Sequence, residues 1–215
     1  MAVHRRYSIV KAVSDRFKNP FGISVPCEMG SPVTGYGDPA ADFHVIGDHP
    51  GRHGGETTGI PFTESTVGRE IQSVLEAVGL LRITDEDRFT VNNLFLNYCY
   101  LCQVTPGTDP TADEYIDHER FFDAELRAVN AHILLPVGRH ATDHVLRSYT
   151  TQYRKQPQSM LRRHARDIRG RGFLVVPIAD PTAWRDGDRQ KIIQTLNRIL
   201  ASDYRQTKGV ATRIG

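Results

Sequence analysis

Several groups of residues in this chain have types and spacing that can do chemistry. His140 and His144 stand four apart in a helical pattern, the spacing zinc enzymes use to put two imidazoles on one face. No Glu follows His140 to act as base, and exposed helix histidines are commonplace, so a plain helix surface explains the pair equally well. His49 and His53 share that spacing in a Gly-rich loop, where helical geometry is not expected. Cys99 and Cys102 make a Cys-x-x-Cys at a strand end, and Cys27 is the third cysteine. An odd count does not make a disulfide framework; a reducing cytoplasm is the expected location. From Arg147 to Arg171, eight basic residues, Arg162 and Arg163 among them, face the single acid Asp167, a local net of +7. Such a run is either a solvated face or a phosphate-contacting surface.

The elements that must position these residues read as α/β. Continuous apolar runs at Phe43–Ile46, Phe89–Leu96, Ile133–Val137 and Phe173–Ile178 predict strands buried on both faces. Helical periodicity lies between them. One helix is capped by Ser65 or Thr66 and runs through Ile71, Val74 and Leu75; a second opens with the capping box Thr111–Glu114 and faces inward with Phe121, Phe122, Leu126 and Val129. A third carries Ala141, Val145 and Leu146, and a last one Ile192, Ile193, Leu196, Ile199 and Leu200. A further amphipathic stretch, Arg5 to Phe17, precedes a Gly/Pro-rich loop. The pattern predicts a three-layer α/β/α domain over 1–203, with a central four-stranded, mainly parallel sheet, and a flexible basic tail over 204–215. Ligands of such sheets bind beyond the carboxyl ends of the strands. Three segments of unusual composition lie there: 47–64, 97–110 and 179–186.

Those segments carry a family likeness. Gly47-Asp48-His49-Pro50-Gly51 followed by Gly59-Ile60-Pro61-Phe62 resembles the first motif of the uracil-DNA glycosylase superfamily, most nearly its family 4. The lead-in Gly35 to Asp42, the strand Leu94-Phe95-Leu96-Asn97, the Cys102 to Thr111 segment and Ile133 to Ala141 follow the same order. The likeness covers roughly Pro32 to Leu200. It implies removal of uracil or a related deaminated base from DNA by hydrolysis of the N-glycosidic bond. That reaction leaves an oxocarbenium-like sugar and a base anion, and needs the base out of the stack. By the resemblance, Asp48 takes the place of the family's Glu and holds the attacking water. Gly47 contributes backbone donors, Phe62 is the wall on which the base stacks, and Asn97 reads its amide edge. Asn97 can equally cap a turn, and the Gly47 segment can be a simple strand-to-loop turn. Arg52, Thr182 and Arg185, with Arg162 and Arg163, are the expected DNA contacts.

Two departures stand out. Where the family has His-Pro-Ser to stabilise the base anion, this chain has Asp180-Pro181-Thr182. An ionised Asp180 would repel the anion unless burial keeps it protonated, so either His49 substitutes as donor, Asp180 serves a different chemistry, or catalysis is weak. The second departure concerns the family's four-iron cluster, which cysteines hold. Here Cys27, Cys99, Cys102 and His118 are the candidate ligands of a cluster or residual metal site, since His can replace Cys. A vestigial site with buried thiols is the competing expectation.

Composition excludes other classes. The 215 residues are 39% hydrophobic and 24% charged, enough for one packed domain. A net charge of +2 is too small for a histone-like polycation, although 22 of the 27 basic residues are Arg, which suits bidentate phosphate contact. No apolar run is long enough to span a membrane. The expected partner is DNA carrying a damaged base, bound by a monomer; a non-catalytic or weakly catalytic nucleic-acid-binding protein of the same fold is the alternative.

Overall fold

The computed structural model describes residues 17–170 and 172–207. Most of the Arg5–Phe17 stretch, and the chain beyond 207, lie outside them.

The centre is a six-stranded sheet in the order β1-β5-β2-β6-β8-β7. Its strands are β1 (Tyr36–Gly37), β2 (Phe43–Gly47), β5 (Leu94–Tyr98), β6 (Ile133–Pro136), β7 (Ile168–Arg169) and β8 (Leu174–Val175). β5, β2, β6 and β8 run parallel and match the four expected strands; β1 and β7 add short antiparallel edges that the sequence did not announce. One apolar run is divided. Phe89 belongs to the hairpin of β3 (Leu81–Asp85) and β4 (Arg88–Val91), and Asn93, at φ 54°, turns the chain into β5. A left-handed backbone suits Asn, so the Asn92-Asn93 pair was the available signal.

Six α-helices are described: α1 (Pro50–His53), α2 (Thr66–Ala77), α3 (Ala112–Val129), α4 (Gly138–Tyr149), α5 (Met160–Arg163) and α6 (Asp188–Leu200). Ser65 caps α2 by accepting from Gly68 N, and Thr111 and Glu114 form the reciprocal box of α3. The layers follow from the period-two alternation of strands. Val45, Leu94, Leu96, Tyr98, Leu135 and Val176 pack toward α2 and α6 with Ile71, Leu75, Ile192 and Leu196. Ile46, Phe95, Leu134 and Val175 pack toward α3 and α4 with Phe122, Leu126, Ala141 and Val145.

The start of the expected tail is docked. Tyr204 sets its ring 5.2 Å from that of Phe43, and Arg205 Nε donates to Asp42 Oδ2 at 2.9 Å. No helix among the described residues is long and apolar enough to cross a membrane.

Candidate active site

The carboxyl ends of the parallel strands gather the chemistry-bearing residues. β2 ends at Gly47, where an added Cβ would stand 2.5 Å from the Tyr98 ring and 2.7 Å from His53 Nδ1. Only glycine fits there. Asp48 follows, buried, and Tyr115 of α3 donates its hydroxyl to Asp48 Oδ1 at 2.5 Å. Burial and then the Asp48 charge push the Tyr115 phenol up, so it stays protonated and keeps donating. The ring of His140, at the start of α4, stacks on Tyr115 with centroids 3.7 Å apart. His144 brings its ring within 4.8 Å of carboxylate oxygens of Glu119 and Asp123.

His49 precedes α1, and its Nε2 lies 3.2 Å from Asp109 Oδ1. Pro50 at the first turn and Gly54 after the last keep α1 to four residues; a Cβ on Gly54 would stand 1.7 Å from Thr63 O. This short helix turns His53 inward and Arg52 outward. His53 is fully buried, and its ring lies parallel to that of Phe62, 15° between planes and 5.4 Å between centroids. Phe62 is also fully buried, with φ 64°. Its N–H donates to Tyr98 Oη at 2.6 Å, and Gln72 Nε2 donates to its carbonyl at 2.6 Å.

Asn97 lies on the other face of the sheet. It is fully buried, its Nδ2 donates to Glu125 Oε2 at 3.0 Å, and His44 Nε2 meets its Oδ1 at 2.9 Å. Glu125 also accepts from Gly35 N at 2.9 Å, and burial raises its carboxyl to about 7 against those hydrogen bonds. Both ends of the amide that the resemblance gave to base reading thus have protein partners. The neighbour that faces Phe62 is Tyr98.

Asp180 caps a short 3-10 turn, Pro181–Ala183. Its Oδ1 accepts from Thr182 N and Oγ1 at 3.0 and 2.6 Å, and its Oδ2 from Arg52 Nε at 3.1 Å. Burial pushes the carboxyl up, but the Thr182 and Arg52 hydrogen bonds outweigh it and hold it below the ordinary range. A protonated Asp180 is not what this environment favours. Its charge is balanced instead by Arg52, whose side chain is 45% exposed and also lies 4.0 Å from Asp109.

The expected DNA contacts divide. Arg52, Arg162, Thr182 and Arg185 are exposed. Arg163 is not: its buried guanidinium pairs with Asp143 at 2.5 Å, and its Nε donates to Pro157 O. The expectation that Arg163 faces solvent is corrected, because the one-residue step along α5 turns it into the domain.

The metal candidates divide as well. Cys27 and Cys102 form a disulfide, with Cα atoms 5.5 Å apart, so two of the three cysteines expected as buried thiols are paired. With His118 they line a cavity of about 460 Å³ that also touches Tyr100, Glu114 and Phe121. Cys99 is buried on the α3/α4 face, its thiol raised well above the usual value by burial and then by Asp48. His118 Nδ1 accepts from Leu101 N at 3.4 Å. Two sulfurs bonded to each other and a third on the opposite face do not supply the donors that a four-iron cluster needs. The residues present do not fit that group.

Tyr115, Tyr98 and Asp109 were not singled out in the sequence. Tyr115 stands 67 residues from Asp48, and no local pattern links the two.

Comparison with known proteins identifies the family. The family model of the uracil DNA glycosylase superfamily matches residues 34–201. A type-4 uracil-DNA glycosylase of Saccharolobus solfataricus is 24% identical over 177 residues, 82% of this chain and 74% of that protein. A type-5 enzyme of Thermus thermophilus is 29% identical over 119 residues, 54% of each chain. A second type-4 relative, from Sulfurisphaera tokodaii, is 21% identical over 179 residues, 83% of this chain and 74% of that protein. With the family model covering most of its length, this chain belongs to the uracil DNA glycosylase superfamily.

Proposed function

We propose that this protein is a DNA glycosylase that hydrolyses the bond between deoxyribose and uracil or a related deaminated base. The observation that carries the reading is Asp48: a buried carboxylate at the end of β2, fixed by the Tyr115 hydroxyl at 2.5 Å, in the motif that continues to Phe62.

In this reading the C1′–N bond breaks and its electron pair stays on the base. The oxygen of a water joined to Asp48 forms the new bond to C1′, and that water's proton leaves, so that free base and an abasic sugar result. The Asp48 carboxylate orients the water and offsets the positive charge on the sugar. Gly47 lines the base slot, and Phe62, its ring covered by His53 and Tyr98, backs that slot rather than stacking on the base itself. Asn97, tied to Glu125 and His44, holds β5 against β2 and α3 rather than reading the base. Asp180 acts with Arg52 as a nearly neutral pair at the mouth, so the base anion meets no lone negative charge. Arg52, Arg162, Thr182 and Arg185 meet phosphates, and a monomer suffices.

The test incubates purified protein with single- and double-stranded oligonucleotides carrying uracil, hypoxanthine or xanthine, followed by alkali cleavage. Strand breaks at the modified position are expected; none with any of the three bases refutes the enzyme reading. A non-catalytic binding protein is the second reading, favoured by the covered ring of Phe62 and the engaged amide of Asn97. Its signature is tight binding of uracil-containing DNA without turnover.

A further inference from the structure

We propose that His53 is the hydrogen-bond donor to the departing base, through its Nε2–H, in place of the histidine that the last motif lacks. The inference rests on the glycosylase reading and names the residue that the reading leaves open.

Three observations carry it. First, the backbone N–H of Asp48 donates to His53 Nδ1 at 3.0 Å, so Nδ1 is an acceptor and the neutral ring carries its proton on Nε2. Second, Nε2 is buried and has no hydrogen-bond partner among the described residues, in a residue that is fully buried. An orphaned buried donor is costly and calls for an acceptor. Third, the ring lies parallel to Phe62, the first-motif residue that the glycosylase reading places behind the base.

Other imidazoles at the strand ends do not meet these conditions. His44 and His49 each have a buried Nδ1 without a partner among the described residues. His44 Nε2 faces an amide oxygen whose own amide nitrogen donates to Glu125, so the His44 proton sits on Nε2 and its orphan is a bare acceptor. His49 Nε2 faces the carboxylate of Asp109, which places its proton there too. In the neutral tautomers that these contacts set, neither orphan is a donor.

Neutrality favours the role. Asp48, Asp180, Arg52 and His49 are the charged and titratable groups around His53, while Phe62 and Tyr98 cover its ring. Burial, the largest influence, brings the imidazole down to about 4 although the two aspartates pull it up. A neutral donor lends its hydrogen bond as charge builds on the base oxygen and keeps its proton throughout. The C1′–N electron pair goes to the base, which leaves as an anion and takes a proton from water afterwards.

The experiment compares wild type with His53→Asn and His53→Gln in single-turnover excision from oligonucleotides carrying uracil or 5-fluorouracil. Asn retains an acceptor for the Asp48 N–H but has no donor at the ε position; Gln restores an amide there. His53→Asn is expected to slow uracil excision by about 100–1000-fold, the loss seen on removing one oxyanion donor. The loss should be in kcat with KM little changed. It should be smaller for fluorouracil, whose anion needs less help, and partly recovered by His53→Gln. Nitrogen NMR of the folded free protein should show the proton of His53 on Nε2 at pH 7. A charged or Nδ1-protonated ring, a His53→Asn variant as fast as wild type, or equal losses on both bases overturns the assignment while leaving the glycosylase reading intact. If wild type excises neither base, this assignment falls, while the glycosylase reading still stands or falls on hypoxanthine and xanthine.

Discussion

Asp180→Asn isolates what the negative charge in the last motif does. The amide Oδ1 of Asn can go on accepting from Thr182 N and Oγ1, now at 3.0 and 2.6 Å, so the cap of the 3-10 turn survives. What disappears is the charge 3.1 Å from Arg52 Nε, leaving Asp109, at 4.0 Å and itself 70% exposed, as the nearest carboxylate. A pair whose Arg is this open contributes about 0–1 kcal/mol. The melting temperature should therefore fall by no more than about 2–4 °C for a chain of this size. Because the folded carboxyl is held low, its stabilisation exists above the ordinary carboxylate range and is lost as pH falls through the depressed value; the variant lacks that acid-side loss. The larger effect should be on DNA. A freed guanidinium that engages one phosphate makes log K fall more steeply with log salt, by about 0.9 in slope. Anisotropy of a labelled duplex, titrated at several KCl concentrations, should show tighter binding at low salt and the steeper slope. Adding Arg52→Ala should abolish both gains, since the two substitutions act on one pair. An unchanged slope, or a gain that persists without Arg52, refutes the assignment of Arg52 as a phosphate contact restrained by Asp180.

Arg163→Ala should cost about 3–5 kcal/mol in urea unfolding, because it strands a partly buried Asp143. The exposed neighbour Arg162→Ala should leave stability unchanged and flatten the salt slope of DNA binding by about 0.9. Glu125, raised from 4.5 to about 7, binds its proton more tightly folded than unfolded, so its contribution is greatest below 4.5 and declines by about 3 kcal/mol as pH rises to neutrality. Glu125→Gln should remove that decline, read as a wild-type-minus-variant difference in unfolding free energy that shifts by this amount between acid and neutral pH. The Cys27–Cys102 bond spans a sequence separation of 75, which in the chain-entropy account stabilises by about 4 kcal/mol. A reductant should lower the melting temperature of wild type and leave that of Cys27→Ser unmoved.

The four parallel strands were legible because a strand buried on both faces must be apolar throughout, and Val45, Leu96, Leu135 and Val176 lie in such runs. Helix starts at Ser65 and Thr111 were legible because a cap is satisfied within three residues. The first motif was legible because a tight turn at Gly47 and a helix entered through Pro50 are local demands. Everything that required knowing a distant neighbour was decided by the tertiary structure. Asn97 and Tyr98 are adjacent, yet the pleat sends one to Glu125 and the other to Phe62. Arg162 and Arg163 are adjacent, yet one is exposed and the other is buried against Asp143. The partner of Asp180 is 128 residues away, and the cysteines that pair are 75 apart. Composition and spacing supply which groups are present. Strand order and helix rotation supply which of them meet, and a carboxylate or an imidazole takes its charge, its tautomer and its use from what it meets.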